Sequence, residues 1–183
     1  MKRFVVIGLG NFGASVAEAL HAARHDVLAV DTREDVVDRL ATLVTRAVVG
    51  DGRSATVLER VGARGADAGV VSTGDDITAS ILAMLALHDL GVREVYVKVV
   101  SADHARVMQK LGATDTVFPE RDSGHRLAIR IGKPKGMLVM ALWLVGVMAF
   151  ASVLPRGDFP LAALFVFILG SGFVGLLFIY GIA

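Results

Sequence analysis

The chain has 183 residues, of which 54% are hydrophobic, and its 19 Lys and Arg nearly balance its 18 Asp and Glu. This near-neutral charge excludes a nucleic-acid binder that works by bulk basicity, because phosphate binding needs clustered cations. The sequence contains no cysteine, which excludes a disulfide framework and a thiolate metal or redox site.

Short apolar runs alternate with helical patterns along the first 131 residues. Continuous apolar runs are typical of strands buried on both faces of a sheet. They predict strands at residues 4–7, 27–30, 47–49, 68–71, 95–100 and 116–118. Apolar residues at helical spacing predict helices at about 14–23, 35–43, 55–61, 76–90, 102–111 and 121–131. The expected N-caps are Ser54, Asp75 or Asp76, and Ser101 or Asp103.

Strict alternation of strands and helices predicts a parallel sheet that helices cover on both faces. Six strands with right-handed crossovers indicate an α/β fold, the doubly wound Rossmann sheet, with strand order 3-2-1-4-5-6. We assign this domain to residues 1–132. Ligands bind such a sheet at the carboxyl ends of strands 1 and 4, where the order reverses.

The turn after the first predicted strand has the sequence Gly8-Leu9-Gly10-Asn11-Phe12-Gly13. In this motif Gly8 permits the tight turn, Gly10 lets the backbone approach a pyrophosphate, and Gly13 lets the helix pack against the sheet. The helix that follows offers free N–H groups and a partial positive charge to phosphate. The position of the motif between a strand and a helix predicts a nucleotide site.

Asp31 ends the second predicted strand, where the motif places an acid that accepts hydrogen bonds from ribose hydroxyls. It would repel a 2′-phosphate by about 4 kcal/mol per charge pair at about 4 Å and an effective dielectric of about 20. We therefore expect NADP to be disfavoured. NAD, NADH, ATP and ADP share an adenosine diphosphate end, and the motif does not separate them. The alternative is a Rossmann domain that has lost its ligand.

Other strand ends converge on the same crevice. Asp51 and Gly52, after strand 3, are expected on the adenine side. Thr73 and Gly74, after strand 4, are expected beside the distal phosphates or the nicotinamide. Lys98, near the end of strand 5, is a candidate phosphate ligand, and its alternative is a solvated charge at the edge of the sheet.

The features of an enzyme are missing from this sequence. A dehydrogenase needs a proton donor and a substrate pocket, but the predicted loops are short, and Tyr96 and Tyr180 form no Tyr-x-x-x-Lys pair. The histidines lie on or beside predicted helices without metal-ligand spacing, and all of them are expected at the surface: His21, His25, His88, His104 and His125. Nucleotide binding without chemistry favours a sensor.

The last 48 residues differ from the rest of the chain in composition. Residues 136–183 contain only two charged side chains, Arg156 and Asp158. The uncharged runs at 136–154 and 159–183 are long enough, at about 1.5 Å per residue, to approach or exceed the hydrocarbon thickness of about 30 Å. They predict a second domain, residues 133–183, that forms a two-helix transmembrane hairpin. The alternative is a pair of helices buried in a soluble core.

Basic residues fix the expected orientation of this hairpin. They precede the first run at Arg126, Arg130, Lys133 and Lys135, whereas the turn holds Arg156 alone. The positive-inside rule then places the first domain in the cytoplasm, on the inner membrane. Neither run carries a charged residue or histidine that would mark an ion path, so the hairpin is expected to anchor the chain in the lipid bilayer.

The first 131 residues resemble the RCK N-terminal domain, also called TrkA-N, and in particular Ktr-type regulators of potassium uptake. The matching segments are Val6–Gly13, Val30-Asp31, Gly50-Asp51, Asp75-Asp76, Lys110–Ala113 and Phe118–Asp122. The family normally continues into a second, smaller ligand-binding lobe, where this chain has the apolar hairpin.

The resemblance implies a regulatory subunit that binds ATP, ADP or NAD(H) and is not an enzyme. It implies homodimers or larger rings that gate a membrane potassium channel or transporter subunit. It also implies that Glu120 helps to hold a divalent cation at a subunit interface. A small NAD-dependent oxidoreductase and a membrane-anchored scaffold that only dimerises are the alternative functions.

Overall fold

The structure is a computed structural model that describes residues 1–132 and 145–146. In this part of the chain strands and helices alternate throughout. The strands are β1 (Arg3–Ile7), β2 (Asp26–Asp31), β3 (Arg46–Val49), β4 (Ala68–Val71), β5 (Glu94–Lys98) and β6 (Asp115–Val117). The helices are α1 (Asn11–Ala22), α2 (Glu34–Leu40), α3 (Ala55–Val61), α4 (Ile77–Asp89), α5 (Ala102–Lys110) and α6 (Pro119–Gly132).

The strands form one parallel sheet in the order β3-β2-β1-β4-β5-β6, which confirms the predicted Rossmann topology. β1 lies between β2 and β4, with Val6 in register with Ala29 on one side and with Val70 on the other. The connections that leave β1 and β4 therefore pass to opposite faces of the sheet. This reversal opens a crevice at the carboxyl ends of the two strands.

The central strands β1, β2 and β4 are buried on both faces of the sheet, which explains the apolar runs in their sequences. Val5 and Ile7 of β1 face a core that α3, α4 and α5 complete. Val6, between them, faces a second core that α1 and α2 complete. Full burial of an aliphatic side chain stabilises a fold by about 1.5–3 kcal/mol. The two cores therefore stabilise the carboxyl ends of the strands that line the crevice.

The observed N-caps settle the two alternatives that the sequence left open. Ser54 Oγ accepts a hydrogen bond from the N–H of Val57, as predicted for α3. Asp76, not Asp75, caps α4, and Ser101, not Asp103, caps α5. Each of these caps satisfies a backbone donor that the first helical turn leaves without a partner.

Two helices begin at least two residues earlier than predicted. α1 begins at Asn11 instead of residue 14, because the glycine motif itself forms the first helical turn. α6 begins at Pro119 instead of residue 121, since proline lacks only an N–H that the first turn would not use. The early start of α1 brings its N–H groups directly to the end of β1.

Met1–Asp122 form one compact unit, and Ser123–Ala183 form another. Within the described residues, none of the helices combines the length and the apolar character needed to span a bilayer. The predicted spans at 136–154 and 159–183 lie outside the described residues, apart from 145–146.

Candidate functional site

A cleft of about 480 Å³ lies at the carboxyl ends of the strands, at the predicted switch point. Its walls come from the loops that follow β1, β2, β3 and β4 and from the end of β5. The residues that line it are Ile7, Gly8, Gly10, Asn11, Phe12, Val30, Asp31, Thr32, Arg33, Gly50, Asp51, Gly52, Arg53, Ser72, Thr73, Gly74, Asp76, Ala79 and Lys98. All of the predicted nucleotide contacts therefore line the cleft except Leu9 and Gly13.

The glycine turn is held tightly against the sheet. Gly8 has φ +84°, and a Cβ there would collide with the carbonyl oxygen of Ser72. A Cβ on Gly13 would collide with the carbonyl oxygen of Gly8. Gly13 therefore packs against the turn behind the cleft and does not line the cleft itself.

Gly10 differs from the other two glycines because no atom lies within 4 Å of the position of its Cβ. It is the N-cap of α1, and it supplies no side-chain cap. Caps of that kind close the first turns of α3, α4 and α5. The N-terminus of α1 therefore presents uncapped N–H groups to the cleft beside an open space, which is the arrangement that binds phosphate.

Asp31 connects the glycine turn to the loop after β2. Its Oδ2 accepts a hydrogen bond of 2.7 Å from the N–H of Leu9, and its Oδ1 accepts one of 2.9 Å from the N–H of Arg33. A carboxylate has about four acceptor sites, so Asp31 keeps capacity for ribose hydroxyls. Leu9 contributes through this backbone contact, while its side chain is buried in the core.

Asp51 is paired with Arg53, two residues further along the same loop between β3 and α3. Arg53 Nε donates to both carboxylate oxygens at 2.9 and 3.0 Å, and Arg53 Nη2 donates to Oδ2 at 2.8 Å. These hydrogen bonds hold the pKa of Asp51 below its usual value and raise the pKa of Arg53. Asp51 therefore lines the cleft as one member of an ion pair.

Lys98 and Glu120 also form an ion pair, although the sequence pointed to separate roles for them. Lys98 Nζ donates to Glu120 Oε1 at 2.6 Å, and the lysine side chain is only 15% exposed. This hydrogen bond holds the pKa of Glu120 below its usual value. Because Lys98 also lines the cleft, a phosphate there would compete with Glu120 for its ammonium group.

The structure does not assemble a cation site around Glu120 in the described part of a single chain. That part contains no group of three or more His, Asp or Glu side chains placed to hold a metal ion. Glu120 is 71% exposed, and its hydrogen-bond partner is a lysine. A single carboxylate that is already paired with a lysine ammonium group is a poor metal site. We therefore derive no step through a divalent ion. The cation shared between subunits stays a prediction.

The distal wall of the cleft is formed by the start of α4. Thr73 Oγ1 lies 2.7 Å from Ser80 Oγ, and both hydroxyls lie 3.2 Å from the carbonyl oxygen of Asp76. The Asp76 carboxylate caps α4 through the N–H of Ala79. Thr73 is therefore positioned in the cleft by the first turn of α4.

Arg33 and Arg53 are cleft residues that the sequence reasoning did not include. Each stands two positions after a strand-end acid, in Asp31-Thr32-Arg33 and in Asp51-Gly52-Arg53. The repeated Asp-x-Arg spacing is the signal that could have found them. It places two guanidinium groups beside the two acids already expected at the ribose and the adenine.

The expectation that all five histidines lie at the surface is wrong for His104. This residue of α5 is 1% exposed, and neither ring nitrogen has a hydrogen-bond partner among the described residues. Its burial follows from the cap at Ser101, which sets the start of α5 and turns His104 inward with Ala105 and Met108. Burial lowers the pKa of His104, because it penalises the charged ring.

His104→Leu is expected to reduce the loss of stability on acidification. Because the pKa of His104 is lower in the folded chain, the unfolded chain binds the proton first. The stability gained from keeping this ring neutral is therefore present above about pH 6.5 and is lost as the pH falls below it. Removing the ring is expected to lower the dependence on pH by up to about 1.4 kcal/mol per unit. Urea unfolding of the full chain in detergent between pH 7.5 and 5.5 measures it.

His125→Leu is the matched control for this prediction, because His125 is exposed. This variant is expected to keep the pH dependence of the unmodified chain. An equal pH dependence in His104→Leu and in the unmodified chain would contradict the predicted effect of burial.

The parallel sheet and its glycine-lined cleft define a Rossmann domain. Within this class, the chain belongs to the TrkA-N domain family, whose model matches residues 4–119. The expected resemblance to that family is therefore confirmed.

Several curated relatives of the chain are potassium uptake proteins. It is 42% identical over 130 residues to Ktr system potassium uptake protein C of Bacillus subtilis, covering 71% of this chain and 59% of the relative. It is 40% identical over 127 residues to Ktr system potassium uptake protein A of Vibrio alginolyticus, covering 69% and 58%. The chain thus spans about three fifths of the length of these relatives.

Solved structures share the fold at lower identity. The Kef C-terminal domain of Shewanella denitrificans, in its AMP-bound form, matches with a TM-score of 0.62 and 21% identity, covering 82% of this chain and 94% of that one. The GsuK channel bound to NAD matches with a TM-score of 0.60 and 19% identity, covering 70% and 23%. At these identities the likeness establishes the fold alone.

Proposed function

We propose that the chain is a nucleotide-sensing regulator of potassium uptake that binds an adenine nucleotide in the cleft between β1 and β4. The observation that carries this proposal is the 2.7 Å hydrogen bond from Leu9 N–H to Asp31 Oδ2. It joins the turn that would hold the phosphates to the acid that would hold the ribose. The spacing of the two is therefore set before a ligand arrives, which lowers the cost of ordering the site.

Each part of the nucleotide has a proposed set of contacts. The N–H groups of the turn Gly8–Gly13 would hold the diphosphate, and Asp31 would accept the ribose hydroxyls. Asp51 and Gly52 would border the adenine. The distal phosphates or the nicotinamide would lie beside Thr73, Gly74 and Lys98. A phosphate there would replace Glu120 as the partner of the Lys98 ammonium group.

The proposed output is a change of shape and not a reaction. A nucleotide shifts a conformational equilibrium only if it binds one conformation more tightly than the other. We infer that the chain forms homodimers or larger rings, and that their shape controls a potassium channel or transporter subunit in the membrane. Support comes from the Ktr relatives and from structural neighbours solved with NAD and AMP.

We further propose that residues 133–183 anchor the chain in the inner membrane as a hairpin of two helices, 136–154 and 159–183. Support comes from the two uncharged runs and from the basic residues before the first of them. The chain has no cysteine, so Lys133→Cys and Arg156→Cys each introduce a single thiol. In intact cells a membrane-impermeant maleimide should label Arg156→Cys only, and labelling of Lys133→Cys alone would reverse the orientation.

Isothermal titration calorimetry of the full chain in detergent, with ATP, ADP, NAD and NADH, tests the nucleotide proposal. Saturable binding of at least one of them is expected, and no binding of any would overturn it. Rubidium uptake by cells that express a Ktr-type membrane subunit tests the proposed regulation of potassium transport. Uptake should depend on this chain, and equal uptake with and without the chain would argue against regulation.

A further inference from the structure

Arg33 provides a cation on the ribose side of the cleft that is near Asp31 but not hydrogen-bonded to it. Its Nε lies 3.7 Å from Asp31 Oδ1, beyond a normal hydrogen bond, and its side chain is 60% exposed. Within residues 1–132 its guanidinium donates no hydrogen bond. Arg53 on the next loop is different, because three hydrogen bonds of 2.8–3.0 Å bind it to Asp51. Arg33 is thus the arginine of this pair that a ligand can recruit without breaking a hydrogen-bonded ion pair.

The groups around Asp31 weaken the repulsion that its negative charge exerts on an anionic ligand. Both carboxylate oxygens already accept backbone hydrogen bonds, from Leu9 N–H and from Arg33 N–H. The Arg33 guanidinium lies close enough to counter the remaining charge. Repulsion between Asp31 and a group on the ribose 2′ position is therefore opposed by an attraction of similar range and opposite sign.

We propose that Arg33 makes the cleft a site for 2′-phosphorylated adenine nucleotides, the chemical class of NADP(H), alongside the unphosphorylated ones. The inference rests on the proposed function, because it requires the ribose to lie at Asp31. An arginine near the strand-end acid accommodates the 2′-phosphate in Rossmann domains of this ligand class. The planar fork of a guanidinium matches two phosphate oxygens. This inference reverses the expectation from Asp31 alone that NADP is disfavoured.

Adenosine 5′-monophosphate and adenosine 2′,5′-bisphosphate form a matched pair of probes, since they differ only in the 2′-phosphate. In calorimetry on the full chain in detergent, the bisphosphate is expected to bind at least threefold more tightly than the monophosphate. Arg33→Ala is expected to weaken the bisphosphate at least tenfold and the monophosphate less than threefold. Arg39→Ala is the control, because it removes the same charge from α2 at a residue that pairs with Asp35 outside the cleft.

Tighter binding of the monophosphate by the unmodified chain would overturn the inference. Equal weakening of both probes by Arg33→Ala would also overturn it, since Arg33 would then act only on the loop. These outcomes leave the proposed function intact as long as ADP binds. Failure of ADP, ATP, NAD and NADH to bind would instead overturn the proposed function itself, and this inference with it.

Discussion

Gly13→Ala is expected to lower the free energy of unfolding by roughly 3 kcal/mol or more, because the added methyl would have no space. Its Cβ would collide with the carbonyl oxygen of Gly8, which is backbone and belongs to a turn fixed at φ +84°. In an open helical position the same change stabilises by about 1 kcal/mol. The sign of the change in the free energy of unfolding therefore shows whether α1 packs closely against the end of β1. Urea unfolding of the full chain in detergent, followed by circular dichroism, measures it.

Gly10→Ala is the control, since nothing lies within 4 Å of its Cβ. We expect it to cost at most about 1 kcal/mol through the weaker N-cap, and to reduce nucleotide affinity by filling the open space. If Gly13→Ala unfolds within 1 kcal/mol of the unmodified chain, the close approach of α1 to the turn is wrong.

Asp31→Ala is expected to lower ADP affinity by about 10- to 100-fold. The variant loses the acceptor for the ribose hydroxyls, and hydrogen bonds to charged groups contribute about 1.5–3 kcal/mol each. It also releases the N–H of Leu9, so the glycine turn is no longer fixed at the distance that the diphosphate requires. Calorimetry with ADP on the full chain in detergent gives the change.

Asp26→Ala provides the matched control, because Asp26 begins the same strand at the end away from the cleft. Asp26 pairs with Arg3 at 2.7 Å, so its loss removes one carboxylate without touching the ligand. We expect ADP affinity to change less than threefold. ADP affinity in Asp31→Ala within threefold of the unmodified chain, with an unchanged circular dichroism spectrum, would place the ribose elsewhere.

The order of the strands and the position of the cleft could be predicted because they depend on local patterns. Buried parallel strands need continuous apolar runs, and the crossover rules leave few topologies for six alternating units. The glycine turn was recognisable for a similar reason, since Gly8 and Gly13 stand where the backbone leaves no room for a side chain. Helix starts were less predictable, because the first turn of α1 consists of the motif itself.

The partners of the charged side chains could not be predicted in this way. Lys98 and Glu120 lie on β5 and α6, and only the folded sheet brings the two side chains to 2.6 Å. Their roles had been expected to be separate. Arg33 shows the same limit, since the loop after β2 brings it into the wall of the cleft.

The burial of His104 likewise depended on the tertiary structure. A histidine in a helix with polar neighbours is compatible with either face, and the face is decided by where the cap at Ser101 starts α5 and by which side packs on the sheet. By itself, the amino-acid sequence determined the alternation of strands and helices, the glycine turn and the acid at the end of β2, because each follows from backbone sterics and from the spacing of apolar residues. The tertiary structure alone decided which charges meet and which ring is buried, because those contacts join residues that the chain keeps far apart.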